Sequence, residues 1–157
     1  WLYETEEALL PIKEKEISEF KPKVINEGDH ISLVATSFST KLAMDVVPML
    51  EDIGINTEVI DVRCLNPFDP EIIVKSVKKT GRIVVIDGSW KNCGFSSEVI
   101  TSIVENIESK NILSKPIRIN IAESPAPTSK VLEELYYPKA NMIFERIRNE
   151  IKDREYL

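Results

Sequence analysis

Cysteine is nearly absent from this 157-residue chain: Cys64 and Cys93 are the two present. Two thiols are too few for a disulfide scaffold or a thiolate zinc site, and they read as reduced, structural or incidental residues. Histidine is scarcer still. His30 stands alone, beside Asp29 at the start of a strand; it reads as a surface turn residue, because proton transfer would need a positioned partner. Glycine is sparse and scattered, and neither GxGxxG nor GxxxxGKS/T occurs. Both patterns bring backbone N–H groups against a phosphate, so a standard dinucleotide or nucleoside triphosphate site is excluded. A GxSxG nucleophile elbow is missing too.

Long apolar runs are also lacking: no stretch approaches the roughly 20 residues of a membrane span. The opening WLYETEEALL has neither the basic region nor the small-residue cleavage site of a signal peptide. Positive charge is in deficit, with 20 Lys and Arg against 26 Asp and Glu for a net charge of -6. That balance argues against nucleic acid and membrane surfaces as partners, since both need a basic face. Carboxylates are plentiful, but no spacing marks a metal cage or a catalytic pair. A cytoplasmic location is the expectation. The chain opens on Trp1 rather than Met, so we expect a piece of a longer protein.

What is present is an alternation of strand and helix signals. Residues 1–22 are polar and acidic, with Pro11 and Pro22, and read as an N-terminal arm; 23–157 read as one domain. Val24-Ile25 supply a short strand before the turn at Gly28-Asp29. Ile31–Thr36 is a buried, β-branched strand. A helix from about Thr40 to Asp52 stops before Gly54, with a kink or a late start expected at Pro48. Thr57–Arg63 is the next strand, and Asn66-Pro67 a turn. Asp69-Pro70 supply an N-cap and a first-turn proline for a helix ending in Lys78 and Lys79, with Gly81 as its stop. Arg82–Asp87 is a strand, leading through a tight Asp87-Gly88-Ser89 turn to a helix with Val99, Ile103 and Ile107 on one face and Ile100 and Val104 beside them. Pro116–Ala122 alternates isoleucines with Arg118 and Asn120, the mark of an edge strand with one polar face. Two helices close the chain, the first carrying Val131, Leu132 and Leu135, the second Ile143, Ile147 and Ile151. Alternating elements of this kind imply right-handed crossovers and a mainly parallel sheet covered on both faces.

In such sheets ligands and partners gather beyond the C-terminal ends of strands, where strand order reverses. The candidate residues there are Ser37, Ser39 and Thr40 after one strand, Arg63 after another, and Asp87 and Trp90 after a third, with Glu98 in the helix beyond. Ser37, Ser39 and Thr40 offer three hydroxyls near a helix start, read either as a weak anion site or as plain helix capping. Trp90 belongs either to a core or to an interface.

Three segments in order then resemble a known family. Glu58–Asp87 carries a strand, an Asp-x-Arg, a Pro/Asp turn, a helix and Lys-Thr-Gly-Arg before a valine-rich strand. Trp90–Glu98 matches a Gly-rich turn entering a helix, through Trp90, Gly94 and Glu98. Glu123–Pro138 has an acidic residue, Pro-x-Pro and a Leu-Glu-x-x-Tyr-x-Pro run, and Leu2-Tyr3-Glu4 looks like the linker before such a domain. Together they resemble the C-terminal domain of beta subunits of thiamine-diphosphate-dependent 2-oxoacid dehydrogenases, the pyruvate, branched-chain and acetoin enzymes. Transketolase and deoxyxylulose-phosphate synthase are wider relatives. The sequence departs from the family's pattern at Cys93 and Ser96, where glycines are usual. It departs again at Gly88 and Lys91, often an acidic residue and a proline in the family.

The resemblance implies a three-layer α/β/α fold with five strands ordered 1-3-2-4-5, the first antiparallel. It also implies that thiamine diphosphate and Mg belong to other domains of the parent enzyme, so that no cofactor-binding or catalytic residue is expected in this chain. Subunit assembly would be its role. The implied partners are an alpha subunit, a second beta subunit and an acyltransferase core. Two other readings stand beside it: the C-terminal part of a sugar-processing transketolase-like or deoxyxylulose-phosphate-synthase-like enzyme, and a free-standing module binding a small anion or a protein.

Overall fold

The computed structural model describes residue 16 and residues 20–152; most of the expected arm 1–22 lies outside them. Its strands are β1 (Lys23–Asn26), β2 (Ile31–Ala35), β3 (Thr57–Asp61), β4 (Ile83–Trp90) and β5 (Ile117–Ile121). The helices are α1 (Phe38–Glu51), α2 (Glu71–Thr80), α3 (Phe95–Asn106), α4 (Lys130–Tyr136) and α5 (Ala140–Lys152). The sheet runs β1-β3-β2-β4-β5. β1 is antiparallel to β3, and the other pairs are parallel.

Alternation along the central strands sorts the two cores. Leu33, Val84 and Ile86 face one side, with Ala43, Val46 and Leu50 of α1 and Ile143 and Ile147 of α5. Val34, Ile83 and Val85 face the other, with Ile73 and Val77 of α2 and Val99 and Ile103 of α3. The path from β2 to β3 steps one way across the sheet, whereas those from β3 to β4 and from β4 to β5 step the other way. Crossovers of a single hand then place α1 opposite to α2 and α3. β2 is buried along its whole length, and its one polar side chain has partners. Ser32 Oγ lies 2.6 Å from Ser76 Oγ and 2.7 Å from Thr80 Oγ1 of α2, which removes the cost of an unpaired buried hydroxyl.

Several local expectations need adjustment. α1 begins at Phe38, not at Thr40 or later, and it runs on through Pro48. Proline there removes one amide from the last turn, a small loss compared with a mid-helix position. β3 ends at Asp61, and Arg63 has φ 62; the strand cannot continue to Arg63 in that left-handed conformation. α2 follows the sequence closely: Asp69 Oδ1 accepts the Glu71 N–H at 3.0 Å, and Gly81 caps the far end at φ 68. Val104 is 59% exposed instead of sharing the buried face of α3. The Asn66–Pro67 peptide is cis.

Candidate functional site

β2 and β4 are neighbours, but the chain leaves their C-terminal ends toward opposite faces, into α1 and α3. A crevice opens where the connections diverge. It is a cleft of about 440 Å³. Ser37, Phe38 and Ser39 line it from the β2 side, and Asp87, Gly88 and Ser89 line it from β4. Leu42, Leu65, Phe95, Ile121, Tyr137 and Pro138 make the rest of the wall mostly apolar, with Cys93 among the lining residues as well. A second hollow of about 330 Å³ shares Phe38, Leu42, Tyr137 and Pro138 with it and continues toward Lys130, Glu133 and Glu134 of α4.

The β4 side is not the tight Asp-Gly-Ser turn expected from the sequence. β4 continues to Trp90, and its pairing with β5 jumps from Ile86–Ile119 to Trp90–Ile121. Four residues on β4 thus span two on β5, an irregularity of the kind that re-aims side chains. Asp87, 4% exposed, turns into a polar knot. Its Oδ1 accepts the Ser89 N–H at 3.0 Å. Its Oδ2 accepts from Ser89 Oγ at 2.6 Å, from the Ser96 N–H at 2.8 Å and from Asn120 Nδ2 at 3.3 Å. Asn120 also donates to the Ser89 carbonyl at 3.2 Å. The knot therefore joins β4, β5 and the start of α3, with a carboxylate held at the positive end of that helix.

The β2 side is built differently. Ser37 precedes α1 at φ 54, ψ -131, with no side-chain cap bond and no acidic residue in the first turn. Ser39 is 7% exposed and lines the cleft, and its N–H donates to the Thr36 carbonyl at 3.1 Å. Thr40 turns away from the cleft and donates to Asp61 Oδ1 at 3.2 Å.

Of the residues singled out in the sequence, Ser37, Ser39 and Asp87 come together at the cleft. Thr40 and Arg63 meet instead on Asp61, whose Oδ2 accepts from Arg63 Nε at 3.3 Å. Glu98 lies exposed in the first turn of α3. Trp90 is 52% exposed, so its core reading fails; its Nε1 approaches Tyr136 Oη at 3.4 Å. Ser89, in the candidate loop after β4, lines the cleft with Ser37, Ser39 and Asp87, whereas Asn120 and Ser96 are site residues that the sequence does not single out. The alternation of β5 marks Asn120 as polar, but it does not show that this polar face is covered. His30 is a surface residue whose Nδ1 accepts the Asn56 N–H at 3.0 Å. Among the described residues no cluster of His, Cys, Asp and Glu could hold a metal ion. Lys75, raised above the ordinary lysine range chiefly by its hydrogen bond with Glu71, lies on α2 and is not among the residues lining the cleft.

Comparison with known proteins agrees with this architecture. The family profile described as "Transketolase, C-terminal domain" matches residues 21–143. The pyruvate dehydrogenase E1 component subunit beta of Rickettsia bellii is 35% identical over 82% of this chain and 39% of its own length. The mitochondrial subunit of Rattus norvegicus is 33% identical over 82% of this chain and 36% of its own. The chain thus spans about two fifths of these relatives. Among solved structures, a split-gene transketolase, described as an inactive beta4 tetramer, superposes with a TM-score of 0.73 at 24% identity. It is matched over 84% of this chain and 42% of that one, a likeness of fold alone.

Proposed function

The chain belongs to the transketolase C-terminal domain family, and on that premise we propose that it is the assembly domain of a thiamine-diphosphate-dependent 2-oxoacid dehydrogenase beta subunit. The observation that carries this reading is an apolar surface next to the Trp90–Tyr136 contact. Val131, Leu132 and Leu135 of α4 are 73%, 55% and 75% exposed, and Trp90 is 52% exposed. A helix of seven residues with three large aliphatic side chains in water gains by covering them, and exposed apolar patches of this kind mark interfaces. The partners proposed are an alpha subunit and a second beta subunit, with docking of an acyltransferase core as a further role. Thiamine diphosphate and Mg would then be held by other parts of the parent enzyme.

The 2-oxoacid reading is preferred to the sugar-enzyme reading because the sequence relatives are pyruvate dehydrogenase beta subunits, whereas the transketolase likeness is one of fold. No helix among the described residues is long and apolar enough to cross a membrane; a cytoplasmic setting is a separate part of the proposal.

Sedimentation velocity of the chain tests the proposal, alone and with its alpha subunit, comparing the natural sequence with Leu135→Asp and Val131→Asp. Association that these changes abolish without lowering the melting temperature is expected. A chain that stays monomeric, and that binds thiamine diphosphate tightly in calorimetry, would overturn it.

A further inference from the structure

We propose that a cavity at the opposite end of the sheet, where β2 and β4 begin, binds the phosphate group of a small monoester. His30 precedes β2 and Arg82 precedes β4, and the two strands are parallel neighbours, so these residues stand side by side. Arg82 Nη1 donates to the His30 carbonyl at 3.4 Å. Arg148, near the end of α5, lines the same hollow of about 350 Å³. The chain carries a net charge of -6, yet this cavity gathers two guanidiniums and an imidazole, and no Asp or Glu lines it.

Each of the three has a donor to spare. Arg148 Nη2 pairs with Glu145 at 2.6 Å, and its guanidinium lies over Phe144, 5.7 Å from the ring centre. Its Nε is buried and has no hydrogen-bond partner, alone in this among the buried side-chain nitrogens and oxygens of the described residues. A buried charged donor left so is unfavourable until an acceptor reaches it. Rotation of the side chain in the cavity would turn it to one there. Arg82 has no carboxylate partner among the described residues. His30 Nδ1 accepts the Asn56 N–H, which fixes the proton of the neutral ring on Nε2. Asp29 Oδ1 is 3.8 Å from that nitrogen, beyond hydrogen-bond reach.

The carbonyl end of α1 does not employ these cations. Leu50 O accepts from the Ile53 and Ile55 amides at 3.1 and 2.9 Å, and Glu51 O from Gly54 at 2.9 Å. Three donors from separate elements suit the terminal oxygens of a phosphate monoester better than the two of a carboxylate. Ile53, Ile55 and Ile151 complete the wall and give a short hydrocarbon chain apolar surface to cover. The volume is that of a small-molecule site. This reading is independent of the assembly role.

Butyl phosphate titrated into the chain, followed by calorimetry and by amide shifts at residues 30, 54, 55 and 82, tests the assignment. Saturable binding is expected, about tenfold weaker in Arg82→Gln and in Arg148→Gln. It should be lost in Ile53→Asp, which sets a negative charge on a side chain already 46% exposed and so spares the fold. Lys110→Gln, at a lysine outside the cavity, should bind as the natural chain does. Inorganic phosphate and pentanoate should both bind more weakly than the ester. The assignment falls if butyl phosphate does not bind, or if the arginine variants bind it as tightly as the natural chain. It falls equally if Lys110→Gln weakens binding as much as they do, or if inorganic phosphate or pentanoate binds as well as the ester.

Discussion

Asp87 Oδ2 accepts the Ser96 N–H at 2.8 Å, so the carboxylate of a strand caps the first turn of the helix that follows it. The residue in the N-cap position, Gly94, has no side chain for that task. The same carboxylate holds Ser89 and Asn120, and β4, β5 and α3 are thereby fastened at one atom group. Asp87→Ala would leave the buried Ser96 amide without its acceptor, while Asn120 Nδ2 keeps the Ser89 carbonyl and Ser96 Oγ. A loss of about 3 kcal/mol is expected, from one cap and three further bonds to a charged group. Asp87→Asn keeps one acceptor oxygen and should lose about half as much. Urea unfolding of both variants measures the difference, and equal midpoints for Asp87→Ala and the natural chain would contradict the capping role.

Gly94 is required for a separate reason. A Cβ there would overlap the Trp90 carbonyl oxygen and stand 2.5 Å from Ser89 Oγ. The carbonyl belongs to the strand end paired with Ile121 and has little freedom to move. Gly94→Ala should therefore cost about 3 kcal/mol, at the upper end of overpacking effects. Gly54 is the control. Its φ is +80, but nothing lies within 4 Å of an added Cβ, so Gly54→Ala should cost only about 1 kcal/mol of backbone strain. Thermal unfolding orders the two, and a smaller loss at Gly94 would refute the steric account.

The layered fold was legible because burial repeats at fixed periods. Val99 and Ile103 recur at helical spacing and Ile31–Ala35 is apolar except for Ser32, and the apolar residues went to the core faces their periods assigned. Family resemblance, not periodicity, supplied the strand order 1-3-2-4-5. The crevice between the ends at Thr36 and Asp87 then follows from that order. What stayed hidden depends on register. Asp87, Ser96 and Asn120 are distant in sequence and meet only because β4 slips against β5 after Ile86. No pattern in a single strand encodes that slip. Cys93, at φ 56, shows the converse: its conformation is the kind glycine adopts at least cost, which suits the family's usual residue better than this chain's.

Glu58 and Lys79 provide the last test. The Glu58 side chain is 4% exposed on β3, and the Lys79 ammonium of α2 is ion-paired with it, with Glu27 3.9 Å from the same ammonium. Removing one partner of a buried pair leaves a carboxylate that neither water nor protein solvates, at about 3–5 kcal/mol when both groups are buried. The Lys79 side chain is 45% exposed, so solvent screening reduces the expected loss for Lys79→Met to about 2 kcal/mol. Glu58→Gln in the same chain should restore much of it, because an amide pays far less for burial than an unpaired carboxylate does. Lys75 and Glu71 form a pair of similar geometry, 2.7 Å apart, with both side chains open to water. Screening and side-chain entropy cancel most of its attraction, so Lys75→Met should leave the urea midpoint unmoved at neutral pH. Comparable losses for the two lysine variants would show that burial of Glu58, and not mere proximity of charge, has been misjudged as the source of the coupling.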